Sequence, residues 1–131
     1  MAGSTVRDLM DTTFVKLRAD MPVTEAIGIL MEERITGAAV VDENDHVLGL
    51  LSERDCLRPL LAGAYDRMPP GLVSDYMMSD VFSVHPDTDI YKLAELFVQQ
   101  VNRRFLVVED SKLIGQITRR DLLRSIQKQW T

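Results

Sequence analysis

The pattern of apolar and polar positions in this chain occurs twice. In each copy a short strand is predicted first, at residues 14–17 and 81–84. A helix follows at residues 23–33 and 89–100, because apolar residues recur there at i, i+1, i+4 and i+5 and form one stripe. The stripe consists of Ala26, Ile27, Leu30 and Met31 in the first copy, and of Leu93, Ala94, Phe97 and Val98 in the second. Each copy therefore begins as a β-α unit.

Two further strands and a final helix complete each copy. The strands are predicted at residues 38–41 and 47–51, and at 105–108 and 112–117. The final helix begins at Ser52 in the first copy and at Thr118 in the second. The apolar residues that it is predicted to bury are Leu57, Leu60 and Leu61, or Leu122, Leu123 and Ile126. The order β-α-β-β-α, found twice, predicts a mixed α/β fold of the α+β type.

The two copies align along most of their length. Residues 6–10 (Val-Arg-Asp-Leu-Met) correspond to residues 73–77 (Val-Ser-Asp-Tyr-Met), and the alignment continues into the final helix with one residue lost in a turn. We therefore predict two domains, at residues 6–62 and 73–128, joined by a linker at residues 63–72. Because units of this size bury only about 60% of their surface, we expect the two to pack as a pseudo-twofold pair with a cleft on either side of the joint.

A segment of the form Gly-h-h-[Ser/Thr]-x-x-Asp, in which h is apolar, ends the last strand of each copy. It occupies residues 49–55 and 115–121, and its hydroxyl residue lies where the strand passes into the helix. The first N–H groups of a helix are unpaired and carry a positive partial charge, so a phosphate can bind there beside the hydroxyl. The aspartate one turn later can accept from both hydroxyls of a ribose. The pattern therefore indicates a nucleotide site in each copy.

The same spacing is that of a capping box, in which the hydroxyl and the carboxylate bind only the helix's own backbone. Two occurrences at equivalent positions, each after a glycine, favour the nucleotide site over a cap alone. The two roles are compatible, because an N-cap hydroxyl can serve its own helix when no ligand is bound. Both interpretations stay open at this point.

The doubled unit and the twin segments resemble a pair of CBS (cystathionine-beta-synthase) domains, together called a Bateman module. The Val-Val-Asp of residues 40–42 and the Val-x-Asp-h-Met of residues 73–77 are similar to the family's sequences as well. The resemblance implies a regulatory module that binds adenine nucleotides (AMP, ADP or ATP), or less often S-adenosylmethionine, in clefts between the paired domains. It also implies homodimers that contain four CBS units.

The resemblance implies particular roles for residues of the twin segments. Asp55 and Asp121 would bind ribose hydroxyls, and Ser52 and Thr118 would face the phosphates.

The family often has a basic residue just before the Val-Val-Asp strand, and here the two copies differ. In the second copy this residue is Arg104, whereas in the first it is Gly37, preceded by Thr36. The arginines around the second candidate site are Arg103, Arg104, Arg119 and Arg120. We therefore expect a phosphorylated adenosine ligand to bind more tightly at the second copy than at the first.

The composition is that of an ordinary globular chain. It has 131 residues, of which 46% are hydrophobic and 27% charged, and a formal net charge of −5. The negative net charge disfavours nonspecific binding of nucleic acid, so no nucleic-acid partner is expected. No apolar run approaches the roughly 20 residues of a membrane span, and the start has no signal-peptide pattern, so we expect a cytoplasmic protein without membrane attachment. The single Cys56 excludes an intramolecular disulfide.

No catalytic or metal-binding pattern is recognised in the sequence. His46 lies in a polar turn and His85 precedes a proline, and neither has a metal-ligand spacing with a carboxylate or with Cys56. We expect a protein that is not an enzyme and requires no cofactor, with an adenine nucleotide as its regulatory ligand. The alternatives are a structural or interaction module without nucleotide, and a sensor of S-adenosylmethionine.

The expected oligomeric state and partners follow from the apolar surface and the length of chain that the pair of domains does not use. Leu60, Leu61, Leu123 and Ile126 lie on helix faces that the pair leaves apolar, and the tail ends near Trp130. An isologous contact would cover such surface, so we expect a homodimer. Nothing of domain size lies outside the pair, so we expect a stand-alone module that regulates an unknown protein.

Overall fold

A computed structural model describes residues 4–67 and 69–130. The helices are α1 (Val6–Leu9), α2 (Val23–Glu33), α3 (Arg58–Leu61), α4 (Ile90–Gln99) and α5 (Arg119–Trp130). The strands are β1 (Lys16–Arg18), β2 (Gly37–Val41), β3 (Val47–Ser52), β4 (Ser83–Val84), β5 (Arg104–Glu109) and β6 (Lys112–Thr118). This mixed α/β architecture confirms the predicted fold class. None of the described helices is long and apolar enough to cross a membrane.

The bounds of the two long repeat helices follow from local chemistry. Helix α2 has the predicted bounds and stops at Arg34, whose positive φ of 57° turns the chain out of the helix. Helix α4 begins after Asp89 because the Asp89 carboxylate accepts from Tyr91 N at 2.6 Å and caps the first turn. It ends before Gln100, which is extended. Helix α4 is therefore one residue shorter at each end than the predicted 89–100.

Each repeat contributes one three-stranded sheet. The orders are β1-β2-β3 and β4-β5-β6, with the first pair of strands parallel and the second pair antiparallel in both. Val40 lies opposite Gly49 in the first sheet, and Val107 lies opposite Gly115 in the second. A register shift follows at the next residue of the middle strand in each case. The two repeats therefore share their topology, register and irregularity.

The chain divides into two compact units whose limits differ from those of the repeats. Unit I is Val15–Val81, and unit II is Phe82–Thr131 together with Met1–Phe14. The repeats at residues 6–62 and 73–128 each begin with a segment that belongs to the other repeat's unit. The two repeats thus exchange their opening segments.

Equivalent residues make these exchanged contacts. In unit II, Val6 N donates to Thr88 O at 2.9 Å, and the Val6 side chain is fully buried. In unit I, Val73 N donates to Met21 O at 2.9 Å, and Val73 is buried to the same degree. Each unit therefore needs the opening segment of the opposite repeat to complete its core.

The cores contain part of the predicted apolar stripe. In unit I the buried cluster is Leu17, Ala26, Leu30, Ala38, Val40, Leu51 and Val73. In unit II it is Val6, Val84, Ile90, Leu93, Phe97, Phe105, Val107, Ile117 and Leu122. Met31 and Val98, the last members of the two predicted stripes, are exposed. The buried face of each helix is narrower than the sequence pattern indicated, because a residue at i+5 is rotated well away from one at i.

The prediction that the first repeat's final helix buries Leu57, Leu60 and Leu61 is wrong. All three side chains are more than half exposed. The segment is a 3₁₀ turn (Asp55–Leu57), the single turn of α3 and a π-helical turn (Ala62–Asp66), and so it has no continuous apolar face. In the second repeat α5 is one regular helix that buries Leu122, half-buries Ile126 and leaves Leu123 exposed.

Two glycines allow the exchanged segments to approach the sheets. A Cβ on Gly49 would lie 2.6 Å from the carbonyl oxygen of Met78, and a Cβ on Gly115 would lie 2.7 Å from Met10 Sδ. At Gly49 the obstacle is backbone that is itself paired with the strand, since Leu50 N donates to Met78 O at 2.9 Å. The glycine that opens each Gly-h-h-[Ser/Thr]-x-x-Asp segment is thus a packing requirement.

We predict that Gly49→Ala lowers the free energy of unfolding by about 1–3 kcal/mol, because the new methyl group overpacks against backbone. Gly28→Ala in α2 is the matched control. A Cβ there meets nothing within 4 Å, and alanine is the better helix former, so we expect a gain of about 0.5–1 kcal/mol. Urea denaturation of both variants measures the difference. A Gly49→Ala protein as stable as the unsubstituted chain would contradict the close approach.

Candidate functional site

The Ser52–Asp55 pair closes the turn between β3 and the 3₁₀ turn. Ser52 N and Ser52 Oγ both donate to Asp55 Oδ2 at 2.9 Å, and Asp55 N donates back to Ser52 Oγ at 3.3 Å. Arg58 Nη2 lies 3.6 Å from the other carboxylate oxygen, and only 6% of the Asp55 side chain is exposed. This reciprocal bonding is that of a capping box, and it leaves Asp55 little accessible surface.

The Thr118–Asp121 pair has the same geometry at the start of α5. Thr118 N donates to Asp121 Oδ2 at 2.9 Å, and Asp121 N donates to Thr118 Oγ1 at 3.1 Å. The other oxygen, Oδ1, accepts from the exposed Arg124 at 3.2 Å. The Asp121 side chain is 22% exposed, several times more than that of Asp55. Of the two carboxylates, Asp121 is the more accessible to a ligand.

The pairing of β5 with β6 gathers the second repeat's arginines at one edge of the sheet. Arg104, at the start of β5, lies opposite Thr118, at the end of β6. The backbone hydrogen bonding between these two segments continues beyond the strands, since Arg119 N donates to Arg103 O at 3.2 Å. Because antiparallel strands bring the start of one next to the end of the other, arginines distant in sequence become neighbours.

These residues line a cleft of unit II with a volume of about 500 Å³. Its lining residues are Arg103, Arg104, Thr118, Arg119, Arg120 and Leu123. Burial, together with the neighbouring Arg103 guanidinium, lowers the pKa of Arg104. Both causes disfavour the charged form of Arg104, and an anion in the cleft would offset both. The cleft is therefore suited to a phosphate group.

In the first repeat, three of the four equivalent positions carry no arginine: Thr36, Gly37 and Glu53 stand where the second repeat has Arg103, Arg104 and Arg119. Gly37 lies opposite Ser52, as Arg104 lies opposite Thr118, and it is buried. Thr36 is exposed, and its carbonyl oxygen accepts from Glu53 N at 2.9 Å. A Cβ on Gly37 would lie only 3.0 Å from Leu51 O. The backbone geometry is thus repeated, while fewer arginines lie beside it in the first repeat, where Arg54 alone matches one of the four cleft arginines, Arg120.

Two residues of this site were not recognised from the sequence. Leu123 was predicted to be buried in α5, and it forms an exposed apolar wall of the cleft. Arg124 pairs with Asp121 three residues earlier. That spacing places two side chains on one helix face, and it is the signal from which the pair could have been found.

Comparison with known proteins establishes the family. The sequence profile of the CBS domain matches residues 6–62 and 73–128, and the chain therefore belongs to the CBS domain family. The crystal structure of CBSX2 from Arabidopsis thaliana in complex with AMP is similar over 98% of this chain and 100% of that chain, with a TM-score of 0.86 and 28% identity.

Similar sequences occur in proteins of different length. The protein MJ1225 of Methanocaldococcus jannaschii is 28% identical over 126 residues, which is 95% of this chain and 44% of MJ1225. The CBS domain-containing protein YhcV of Bacillus subtilis is 29% identical over 119 residues, which is 91% of this chain and 83% of YhcV. The chain thus spans less than half of the one relative and most of the other.

We predict that Asp55→Ala and Asp121→Ala each lower the free energy of unfolding by about 1–2 kcal/mol in the absence of any ligand, because each removes a helix cap. Glu53→Ala is the control, since Glu53 is exposed in the same turn and carries the same charge. Urea denaturation of the three variants tests this. Losses no larger than that of Glu53→Ala would contradict the capping role.

Proposed function

We propose that this CBS-domain protein binds a phosphorylated adenosine ligand at the second repeat and signals by a change of conformation or of partner. The observation that carries the proposal is the cleft lined by four arginines beside Thr118, in a chain whose formal net charge is −5. A phosphorylated ligand would offset the burial of Arg104 and its repulsion by Arg103, and would accept charge-assisted hydrogen bonds from the arginines of the cleft. The similarity to CBSX2, which was crystallised with AMP, supports an adenosine ligand.

In this proposal each part of the site has one task. The guanidinium groups of Arg103, Arg104, Arg119 and Arg120 and the Thr118 hydroxyl bind phosphate oxygens. Asp121 accepts from ribose hydroxyls after its side chain exchanges the exposed Arg124 for the ligand. The first repeat, with Ser52, Asp55, Thr36 and Gly37, would be at most a weaker site.

Charge also separates the candidate ligands. S-adenosylmethionine carries a sulfonium and an ammonium group against a single carboxylate, so its net charge repels four arginines. AMP, ADP and ATP are anions of increasing charge and fit the cleft electrostatically. Signalling further requires that the ligand bind two arrangements of the protein with different affinity, since a ligand shifts an equilibrium only by that difference.

A structural module without nucleotide, or an enzyme, would give different measurements. A ligand present at 100 times its dissociation constant adds about 2.7 kcal/mol to the stability of the folded state. A module that binds no nucleotide shows no such rise in melting temperature with AMP, ADP or ATP. Steady hydrolysis of the nucleotide by purified protein would instead indicate an enzyme.

We predict that Asp121→Ala weakens AMP binding by about 1.5–3 kcal/mol, the usual loss for hydrogen bonds to a charged group. Asp55→Ala is the matched control, because it removes the equivalent helix cap and the same charge from the first repeat. It is expected to leave the tight site unchanged. Titration calorimetry on both variants measures the difference. If Asp55→Ala abolishes AMP binding while Asp121→Ala retains it, the main site lies in the first repeat and the proposed assignment is wrong.

We also propose a homodimer formed through exposed apolar residues of the final helices. Leu60 and Leu61 in α3, and Leu123 and Trp130 in α5, are each more than half exposed. Ile126, half-buried, contributes less than the sequence suggested. An isologous contact would remove these side chains from water.

We predict that Leu60→Glu combined with Leu123→Glu converts the dimer to a monomer, because two buried charges per protomer would have no partners. Val101→Glu is the control, since Val101 is 96% exposed outside these helices. Light scattering at micromolar concentration measures the molecular mass. A monomeric unsubstituted protein, or an equal effect of Val101→Glu, would contradict this interface.

A further inference from the structure

A second cluster of polar side chains lies in unit II, at the edge where β4 and β5 end. These strands are parallel, so their carboxyl ends lie side by side. His85 directly follows β4, Asp87 lies two residues further, and Glu109 ends β5. One potential ligand atom from each of the three side chains lies within 4.8 Å of the other two. None of these residues belongs to the arginine cleft.

The backbone around this cluster is well fixed. Thr88 N donates to His85 O at 3.0 Å, which closes the turn after β4, and Arg7 N donates to Pro86 O at 2.8 Å. Glu109 is held in the strand pairing opposite Lys112. The three side chains are thus carried by an ordered turn and a paired strand.

A positive group already lies between the two carboxylates. Arg7 Nη2 lies 3.2 Å from Asp87 Oδ1 and 3.0 Å from Glu109 Oε2. Hydrogen bonds to Glu109 and then to Asp87 raise the pKa of the Arg7 guanidinium. The cluster therefore stabilises a cation, but one guanidinium supplies a single positive charge against two carboxylates. A divalent ion would match their charge.

We propose that His85, Asp87 and Glu109 form a binding site for a divalent transition-metal ion of the zinc type, and that this ion displaces the Arg7 guanidinium. Imidazole nitrogen and carboxylate oxygen are both ligands that zinc accepts, at about 2.0–2.2 Å. Three protein ligands leave at least one position for water. The choice of zinc over magnesium rests on the imidazole, because magnesium takes oxygen ligands.

Binding requires small movements of the side chains, which the exposed His85 and Asp87 permit. Tetrahedral ligands at about 2.1 Å lie about 3.4 Å apart, so the three atoms must move closer together. Asp87 N donates to His85 Nδ1 at 3.1 Å, and ligation through either ring nitrogen replaces this bond. Asp87 is exposed, so its N–H can bind water instead. The Arg7 side chain moves into solvent.

The first repeat contains a natural negative control. Residues 15–20 align with residues 82–87, and Arg18 therefore occupies the position of His85. A guanidinium remains protonated and cannot ligate a metal ion. The proposed ligands all belong to the second repeat, and the spacing of His85 along the sequence did not predict a metal site.

Zinc titration of the full chain by calorimetry, with cobalt absorption as a second readout, tests the proposal. We expect His85→Gln to lower zinc affinity at least about tenfold and Glu109→Gln to act in the same direction. Arg7→Gln is expected to raise the zinc affinity about three- to tenfold, because zinc then no longer has to break the ion pairs of Arg7 with Asp87 and Glu109. Magnesium is expected to bind far more weakly than zinc.

Matched controls are available in unit I. His46→Gln removes the chain's other histidine, and Arg18→Gln makes the same charge change as Arg7→Gln, so both should leave zinc affinity unchanged. Circular dichroism and urea denaturation establish that each variant is folded. Unchanged zinc binding in His85→Gln, an equal loss in His46→Gln, or weaker binding in Arg7→Gln would overturn the proposal. Comparable affinity for magnesium would do so too.

Discussion

The short loop of hydrogen bonds between a hydroxyl residue and the aspartate three positions later fixes the turn from sheet to helix in both units. Ser52 bonds Asp55 and Thr118 bonds Asp121 in the same reciprocal way. In the second repeat this turn determines where α5 begins and which way Arg119 and Arg120 leave the sheet edge. The cleft exists because that edge is shared with the start of β5. The cap and the proposed ligand site are therefore two uses of one piece of backbone geometry.

The duplication makes the chemical difference between the repeats easy to see. Both have the same strand order, the same register shift and the same cap. Gly37 and Arg104 occupy equivalent positions opposite the cap hydroxyl, and Arg18 and His85 occupy another equivalent pair. At both pairs the same strand pairing or turn carries different side chains, glycine or arginine in one case and arginine or histidine in the other. Divergence at such positions can alter binding without disturbing the core.

Much of this could be predicted from the sequence, because periodicity and internal repetition are local signals. Helix α2 has its predicted bounds. Arg104 was recognised from the resemblance to the CBS family, and the other arginines from their places next to Arg104 and Thr118 in the sequence. The burial of Leu57 was mispredicted because an apolar spacing does not reveal that its segment breaks into a 3₁₀ turn, one helical turn and a π-helical turn. The proximity of His85 to Glu109 depends on the parallel pairing of β4 with β5, and this long-range pairing cannot be read from the spacing of residues in the sequence.

The exchange of opening segments has a consequence for how the protein is made. Residues 6–11 are synthesised before every strand that they pack against, since β4, β5 and β6 all follow residue 82. Unit I has its complete sequence once residue 81 has been synthesised. At that point the sheet of unit II, on which α1 packs, does not yet exist. Val6 must remain exposed until the second sheet forms. Helix α1, the earliest described helix of the chain, is therefore among the last to pack, because it docks onto unit II only after β4, β5 and β6 have been synthesised.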